Sequence, residues 1–241
     1  MTDPHTPGLA RRDFLRLGLV AGPASLVAAC GWDGGPLIKP RLQAISRLND
    51  WVGEKILLSP NRLAPTYATS ARSTTVPAYF ISDDVPTLAQ PSAWSLEVGG
   101  LVRRPTRLTL AMLQALPSVT YTVKHHCVEG WTAIATWTGV PVATVAALVE
   151  PLPAARHLRF DSFDDGYFNG WDLTSGMHAQ TILAYAFNDR PLSPERGAPL
   201  RLYSPIKLGY KLTKYLTRMS FTAERPGGYW EDQGYPWLGG V

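Results

Sequence analysis

Cysteine is scarce in this chain: two in 241 residues, Cys30 and Cys127. Cys30 closes a stretch that reads as an export signal, which leaves Cys127 as the one thiol of the working protein. A disulfide framework is thereby excluded, and outside the cytoplasm a lone thiol is a liability unless it has a purpose. The sequence has no Cys-x-x-Cys and no His-Glu-x-x-His to build a zinc site. It has no Cys-x-x-Cys-His for covalent haem and no Gly-x-Gly-x-x-Gly for a dinucleotide. No apolar run approaches the ~20 residues of a membrane span, and there is neither internal repeat nor low-complexity segment. Charge of one sign is also lacking. The net charge of +4, of which the export signal holds one, leaves about +3 on the remainder, scattered and too mild for a nucleic-acid surface.

Arg11-Arg12-Asp13-Phe14-Leu15-Arg16 has the paired arginines and following apolar pair of a twin-arginine signal, and Leu17 to Ala29 supplies a short apolar segment broken at Gly22-Pro23. Such segments are removed before the fold is considered. Leu26-Val27-Ala28-Ala29-Cys30 places small residues before a cysteine, as in bacterial lipoprotein signals, although a simple peptidase site is the competing reading. The expected organisation is a signal over residues 1–29, a lipid-attachment cysteine and tether over 30–48, and one domain over 49–241. Acylation of Cys30 would anchor the chain to a membrane through a glycine- and proline-bearing tether. The twin-arginine route also serves proteins that load a cofactor before export.

The 212 residues after Ala29 suffice for one ordinary domain with its own core. A hydrophobic content of 45% against 17% charged residues marks a folded protein. Eight Trp and ten Tyr with 21 Gly and 21 Pro favour short strands and frequent turns. The expected class is α+β and β-rich. Strands are predicted over Ala93–Val98, Val119–Lys124, His157–Phe160, Leu200–Tyr203 and Tyr215–Thr222. Helices are predicted over Thr109–Leu116 with Thr109 as N-cap, over Pro141–Val149, and over Thr181–Phe187 with a cap near Asn188. The strand from Val119 runs directly into His125-His126-Cys127, which sets the thiol at the end of a rigid element.

Three chemistries compete for Cys127. A nucleophile would need a histidine base, for which His125, His126, His157 and His178 are available. A simple zinc or copper site would need further ligands, and the plain reading of His125 and His126 is surface or supporting histidines. Ser204-Pro205-Ile206-Lys207 matches the Ser-x-x-Lys of penicillin-binding enzymes, but its Ser-Asp-Asn and Lys-Thr-Gly companions are missing and coincidence explains it better. The third chemistry joins Cys127 to two distant basic segments, Arg196-Gly197-Ala198-Pro199-Leu200-Arg201 and Lys207 to Lys214. There glycines permit close approach and cations can neutralise a phosphate. A soft thiolate with a phosphate cradle suggests a metal cofactor carrying a phosphate tail.

Cys127-Val128-Glu129-Gly130-Trp131, Trp137-Thr138-Gly139-Val140-Pro141, Arg-Gly-Ala-Pro-Leu-Arg and Gly-Tyr-Lys-x-x-Lys stand in the order found in the sulfite oxidase family of molybdopterin enzymes. The chain resembles that family from about Asn49 to its C-terminus, and within it the small exported bacterial branch of the periplasmic methionine sulfoxide reductases. The resemblance implies a sulfite oxidase-type molybdopterin-binding fold and a molybdenum cofactor held by one molybdopterin, with the Cys127 thiolate ligating the metal. It also implies cofactor contacts at Asn49, Ser162, Arg196, Arg201, Leu212, Thr213 and Lys214, although relatives carry Asn or His where Arg196 stands. The implied reaction is two-electron oxygen-atom transfer on a small oxyanion, a sulfoxide or a protein sulfoxide. Electrons would pass to or from a separate membrane cytochrome or quinone-linked partner. A cofactor-free cysteine hydrolase or transferase, and a non-catalytic lipoprotein of a membrane complex, are the alternatives. The aromatic tail Tyr229 to Trp237 is expected as structural cover, with a substrate mouth as the second possibility.

Overall fold

A computed structural model describes residues 35–53 and 61–241, so the expected export signal, Cys30 and the start of the expected tether lie outside the described residues. Two units are distinguished, Met1–Asn49 and Asp50–Val241. The described part of the first is helix α1 (Gly35–Val52), whose last three residues belong to the second unit. Residues 35–48, expected as tether, are therefore helical. Pro40 is tolerated inside the helix because its missing N–H removes a single ladder bond, close to the helix start.

The second unit is built on ten strands in two sheets. One sheet contains β1 (Leu96–Gly100), β2 (Thr106–Leu108), β5 (His157–Ser162), β6 (Phe168–Asp172) and β10 (Leu216–Thr222), in the order β2-β1-β10-β5-β6. The β1–β10 pair is parallel and its other pairs are antiparallel. The other sheet runs β3 (Val119–His126), β4 (Thr132–Pro141), β7 (Ile182–Phe187), β8 (Arg190–Pro191), with β9 (Arg201–Tyr203) also paired to β7. Three short helices complete the unit: α2 (Leu110–Gln114), α3 (Val142–Val149) and α4 (Leu173–Gly176). The expected β-rich α+β class is the observed one.

Alternation explains where the elements face. In β10 Leu216, Met219 and Phe221 are sealed, and in β5 Leu158 and Phe160. They join Trp137, Ile182 and Leu202 of the other sheet and Val142, Val145 and Val149 of α3 in one core. Each such side chain contributes roughly 1.5–3 kcal/mol by leaving water. Thr109 caps α2 by accepting from the Met112 amide at 3.2 Å, as the sequence predicts.

One expected helix is a strand. Thr181–Phe187 is an apolar run after its first residue, but Ile182–Phe187 forms β7, which pairs with β4 on one side and with β8 and β9 on the other. A strand buried in mid-sheet reads as a continuous apolar run, and such a run lacks the period that separates strand from helix. Asn188, expected as a helix cap, and Asp189 have φ of 48° and 64° and form the two-residue loop between Phe187 and Arg190. Both central residues with positive φ is the geometry of a tight hairpin turn, for which Asn and Asp are suited.

Candidate active site

Cys127 is the first residue of the loop between β3 and β4. Its amide donates to the Trp131 carbonyl at 3.0 Å and its carbonyl accepts from the Gly130 amide at 3.1 Å, which closes the loop. The thiol is free and half-buried. Burial is the main cause that raises its pKa above the ordinary thiol range, and the Glu129 carboxylate adds to it, while the Glu129 and Val128 amides oppose the shift. A lone thiol so placed keeps its proton and is a poor free nucleophile. His125 does not relieve this. Burial and the cations Arg201, Arg196 and Lys214 depress its pKa to about 3, so the ring is neutral and offers no imidazolium to a thiolate. Among the described residues no group of three or more His, Cys, Asp and Glu is placed to hold a metal ion by protein ligands alone.

Beside the thiol lies a cavity of about 220 Å³. Its lining includes three cations. Arg201, buried in β9, donates to the carbonyls of Arg196 at 3.1 Å and Leu212 at 3.2 Å, and its guanidinium lies 4.9 Å from the Trp137 ring centre. Arg196 donates to the carbonyls of Val76 and Pro77. Lys214 donates at 2.6 Å to the carbonyls of both Tyr79 and Glu195. Among the described residues none of these three cations forms a salt bridge. Desolvation accordingly lowers their pKa values, Arg201 to about 10, and Lys214 to about 7 with Arg201 and Arg196 as the next causes. Arg201, which is buried, and the half-buried Arg196 and Lys214 are spent on carbonyls and leave positive charge that an anion would neutralise.

Two glycines allow the basic segments to meet. Gly197 has φ of 97°, and a Cβ there would stand 2.8 Å from the Cβ of Lys214. A Cβ on Gly209 would stand 3.1 Å from Nε2 of His125. The sequence suggested that these glycines admit a ligand; they admit neighbouring side chains, which lets Lys214 and His125 line the cavity. Uncommitted polar atoms complete the lining: Nδ1 of His125, Nε1 of Trp137 and the hydroxyl of Tyr215 are buried without a hydrogen-bond partner.

The structure brings together Cys127, Arg196, Arg201, Leu212 and Lys214, all of which line the cavity. Thr213 is buried behind it and accepts from Asn169 at 3.3 Å. Ser162 ends β5 and accepts from the Asp164 amide at 2.9 Å, so Asp164 is the residue that reaches the wall. Asn49 is exposed on α1. Lys207 and Lys211, read with Lys214 as one cluster, point into the core instead. Lys207 binds Asp172 at 3.1 Å and the Leu238 carbonyl at 2.7 Å, and Lys211 binds Glu231 and the Gly170 carbonyl. Ser204 is buried and accepts from Thr181 at 2.9 Å, so with Lys207 committed to Asp172 the Ser-x-x-Lys pattern makes no nucleophile. In the aromatic tail Trp237 is buried as cover, while Trp230 and Tyr235 line the cavity.

Sequence reasoning missed the wall from Val76 to Ile81, an irregular segment with no motif, and the ring of His125, which adjacency to Cys127 marked but did not decide. Trp137 and Glu129 stood inside quoted motifs, where a polar or charged side chain next to a candidate ligand was the available signal.

A soft thiol and three cations without salt bridges in the lining of one cavity suit a metal-bearing cofactor with an anionic tail. The chain belongs to the oxidoreductase molybdopterin binding domain family, whose model matches residues 82–230. It is 40% identical over 233 residues to a candidate protein-methionine-sulfoxide reductase subunit of Azospira oryzae, covering 96% of this chain and 88% of that one. It is 26% identical over 240 residues to the protein-methionine-sulfoxide reductase catalytic subunit of Campylobacter jejuni, covering 92% of this chain and 76% of that one. The sulfane dehydrogenase SoxCD of Paracoccus pantotrophus shares the fold, with a TM-score of 0.55 over 58% of this chain and 41% of that one at 21% identity. The family resemblance read from Cys127 and the downstream motifs is thus borne out, and the protein is a molybdenum-dependent oxidoreductase with molybdopterin as its cofactor. The residues present fit that group: an anionic tail answers the three unbalanced cations, and a polar pterin answers the unpartnered atoms of His125, Trp137 and Tyr215.

Proposed function

We propose that this chain is the extracytoplasmic catalytic subunit of a sulfoxide reductase and draws electrons from a separate membrane redox subunit. The bound cofactor supplies two-electron oxygen-atom transfer. Cys127 holds the metal by its sulfur. Arg196, Arg201 and Lys214 bind the anionic tail, Leu212 and His125 pack along the cofactor, and Thr213 and Ser162 support the walls from behind. Asn49 belongs to the first unit and carries no role in this reading.

The observation that carries the substrate choice is the surround of Cys127. Glu129 Oε2 lies 4.0 Å from the sulfur, and Tyr79, Trp131, Trp230 and Tyr235 stand around the cavity. A carboxylate at that point repels sulfite and other oxyanions, whereas a neutral sulfoxide meets aromatic faces that favour its sulfur and methyl groups. Glu129 is itself fixed, since its Oε2 accepts from the Trp131 indole at 3.1 Å. The Tyr79 hydroxyl retains its proton, because a hydrogen bond to Glu129 raises its pKa. Both named relatives are subunits, which supports a redox partner, and a twin-arginine signal supports an extracytoplasmic site.

Molybdenum-loaded protein should turn over methionine sulfoxide with a reduced viologen dye as donor and should fail to oxidise sulfite with an electron acceptor. Sulfite oxidation without sulfoxide reduction would reverse the assignment. Absence of molybdenum, with rapid alkylation of Cys127, would favour the cysteine hydrolase.

A further inference from the structure

Helix α1 exposes a row of large apolar side chains. Ile38, Leu42, Ile45 and Leu48 are 37%, 53%, 55% and 58% exposed. Their spacing of four, three and three residues confines them to about 120° of the helix surface. A single exposed leucine needs no explanation, but four in register on one helix do. The same stretch is cationic. Residues 35–49 contain Lys39, Arg41 and Arg47 and no acidic residue. The one acid of the helix, Asp50, is committed to Arg225 at 2.7 Å and to the Leu238 amide at 3.1 Å. Arg47 falls on the side opposite Ile45 at helical spacing, where it faces water above the seated row. Arg41 falls within the arc of the row, between Ile45 and Leu48 at helical spacing, and its aliphatic stem can lie along that row while the guanidinium reaches the headgroups.

We infer that α1 is a membrane-surface helix that seats its Ile38–Leu42–Ile45–Leu48 row in an anionic lipid bilayer. An apolar stripe on a helix whose charges before Asp50 are cationic, in a segment not apolar enough to span, is the composition of interfacial helices. Chain length adds an independent argument that rests on the extracytoplasmic reading above. Only residues 31–34 separate Cys30 from the start of α1, and four residues reach at most about 14 Å. A chain acylated at Cys30 therefore has α1 at the lipid surface, where an apolar row faces acyl chains. One acyl anchor gives marginal binding, and a second apolar and basic signal makes it stable.

The test uses molybdenum-loaded protein produced without residues 1–29 and with Cys30→Ser, so that no acyl chain contributes. It should float with vesicles of phosphatidylcholine and phosphatidylglycerol, less with phosphatidylcholine alone, and less at high salt. Leu42→Glu/Ile45→Glu should lower the bound fraction at least about tenfold, with molybdenum content, dye-linked activity and unfolding temperature unchanged because the row is outside the core. Failure of the parent to float, or equal flotation of the variant, overturns the inference. So does a parent that does not float but sediments as a dimer dissociated by the same substitutions, which would make the row a self-association face. Mass spectrometry of protein from the cell envelope tests acylation of Cys30 separately. An unacylated Cys30 with vesicle binding intact removes the anchor and leaves the helix inference standing.

Discussion

The Glu129 carboxylate stands 4.0 Å from the Cys127 sulfur and is held by the Trp131 indole at 3.1 Å. The chain thus places a fixed negative charge beside the residue assigned to the metal, although the cavity behind it is cationic. The charge sorts ligands by sign: anions are drawn to the three cations and turned away at the thiol. Glu129→Gln keeps an acceptor for the indole and removes the charge. The variant should keep its molybdenum, and inhibition by sulfite or sulfate should tighten about three- to tenfold, a modest factor because Glu129 is solvent-exposed. Unchanged inhibition constants would show that the carboxylate does not select the substrate.

Replacing Cys127 separates the metal ligand from the tail cradle. Cys127→Ser leaves Arg196, Arg201 and Lys214 in place, so pterin should still be recovered from the purified protein. Sulfoxide reduction should fall by about a thousandfold or more, because the metal loses a soft donor that oxygen does not replace. The thiolate-to-metal absorption band should vanish with it. A serine variant with full activity and normal molybdenum would falsify the ligand assignment.

Arg201 has a structural and a binding role in one side chain. It donates to the carbonyls of Arg196 and Leu212, so Arg201→Met leaves both acceptors without that donor and should cost about 1–3 kcal/mol of stability by denaturant titration. It should also lower cofactor occupancy beyond what the stability loss explains. Arg201→Lys restores the charge without the planar fork and should recover occupancy only in part. Equal occupancy in all three proteins would remove Arg201 from the cradle.

These residues also mark how far the sequence could be read. Cys127, Arg196, Arg201 and Lys214 are chemically distinctive, and their motifs stand in a family order, so these residues of the site were legible. Lys207 and Lys211 show where that reading stopped. In sequence they continue the basic run to Lys214, but Lys207 reaches Asp172 and Lys211 reaches Glu231 in the core. Nothing in a string of lysines tells which will find a buried carboxylate, since the partners lie 35 and 20 residues away. The wall from Val76 to Ile81 was illegible for a related reason: it serves mainly through backbone carbonyls that receive Arg196 and Lys214, and a carbonyl has no residue identity. The β7 strand misread as helix shows the same limit, because its partners decide its form.

The Lys211–Glu231 pair fastens the aromatic tail, with side chains 0% and 3% exposed. Lys211→Met alone strands a buried carboxylate and should destabilise the protein by about 3–5 kcal/mol. Adding Glu231→Leu should recover most of that loss, since a packed apolar pair replaces a buried ion pair at little net cost. Trp230, next to Glu231, lines the cavity, so the single variant should raise KM for sulfoxide more than it lowers kcat. A single variant as stable as the parent would mean that Glu231 is already protonated, which its raised pKa from burial makes the alternative to measure.

Lys214 gives the cradle a pH signature. Burial and the neighbouring arginines depress its pKa from 10.5 to about 7 in the folded chain. Between those values the unfolded chain holds a proton that the folded cofactor-free chain has released, so the stability of the cofactor-free protein should rise with pH from about 7 to about 10.5 on this account. Below pH 7 the folded chain bears the charge without an anion and is weakest there. The comparison that isolates the residue is parent against Lys214→Met, each free of cofactor: their stability difference should shift in favour of the parent as pH rises across that window. Sulfate, a stand-in for the anionic tail whose charge is constant across this range, should stabilise the parent more at pH 6 than at pH 9, because only the protonated lysine pairs with it. The Met variant should lose that pH dependence. Stabilisation by sulfate that is equal at both pH values would place the anion away from Lys214 and assign the cradle to the two arginines alone.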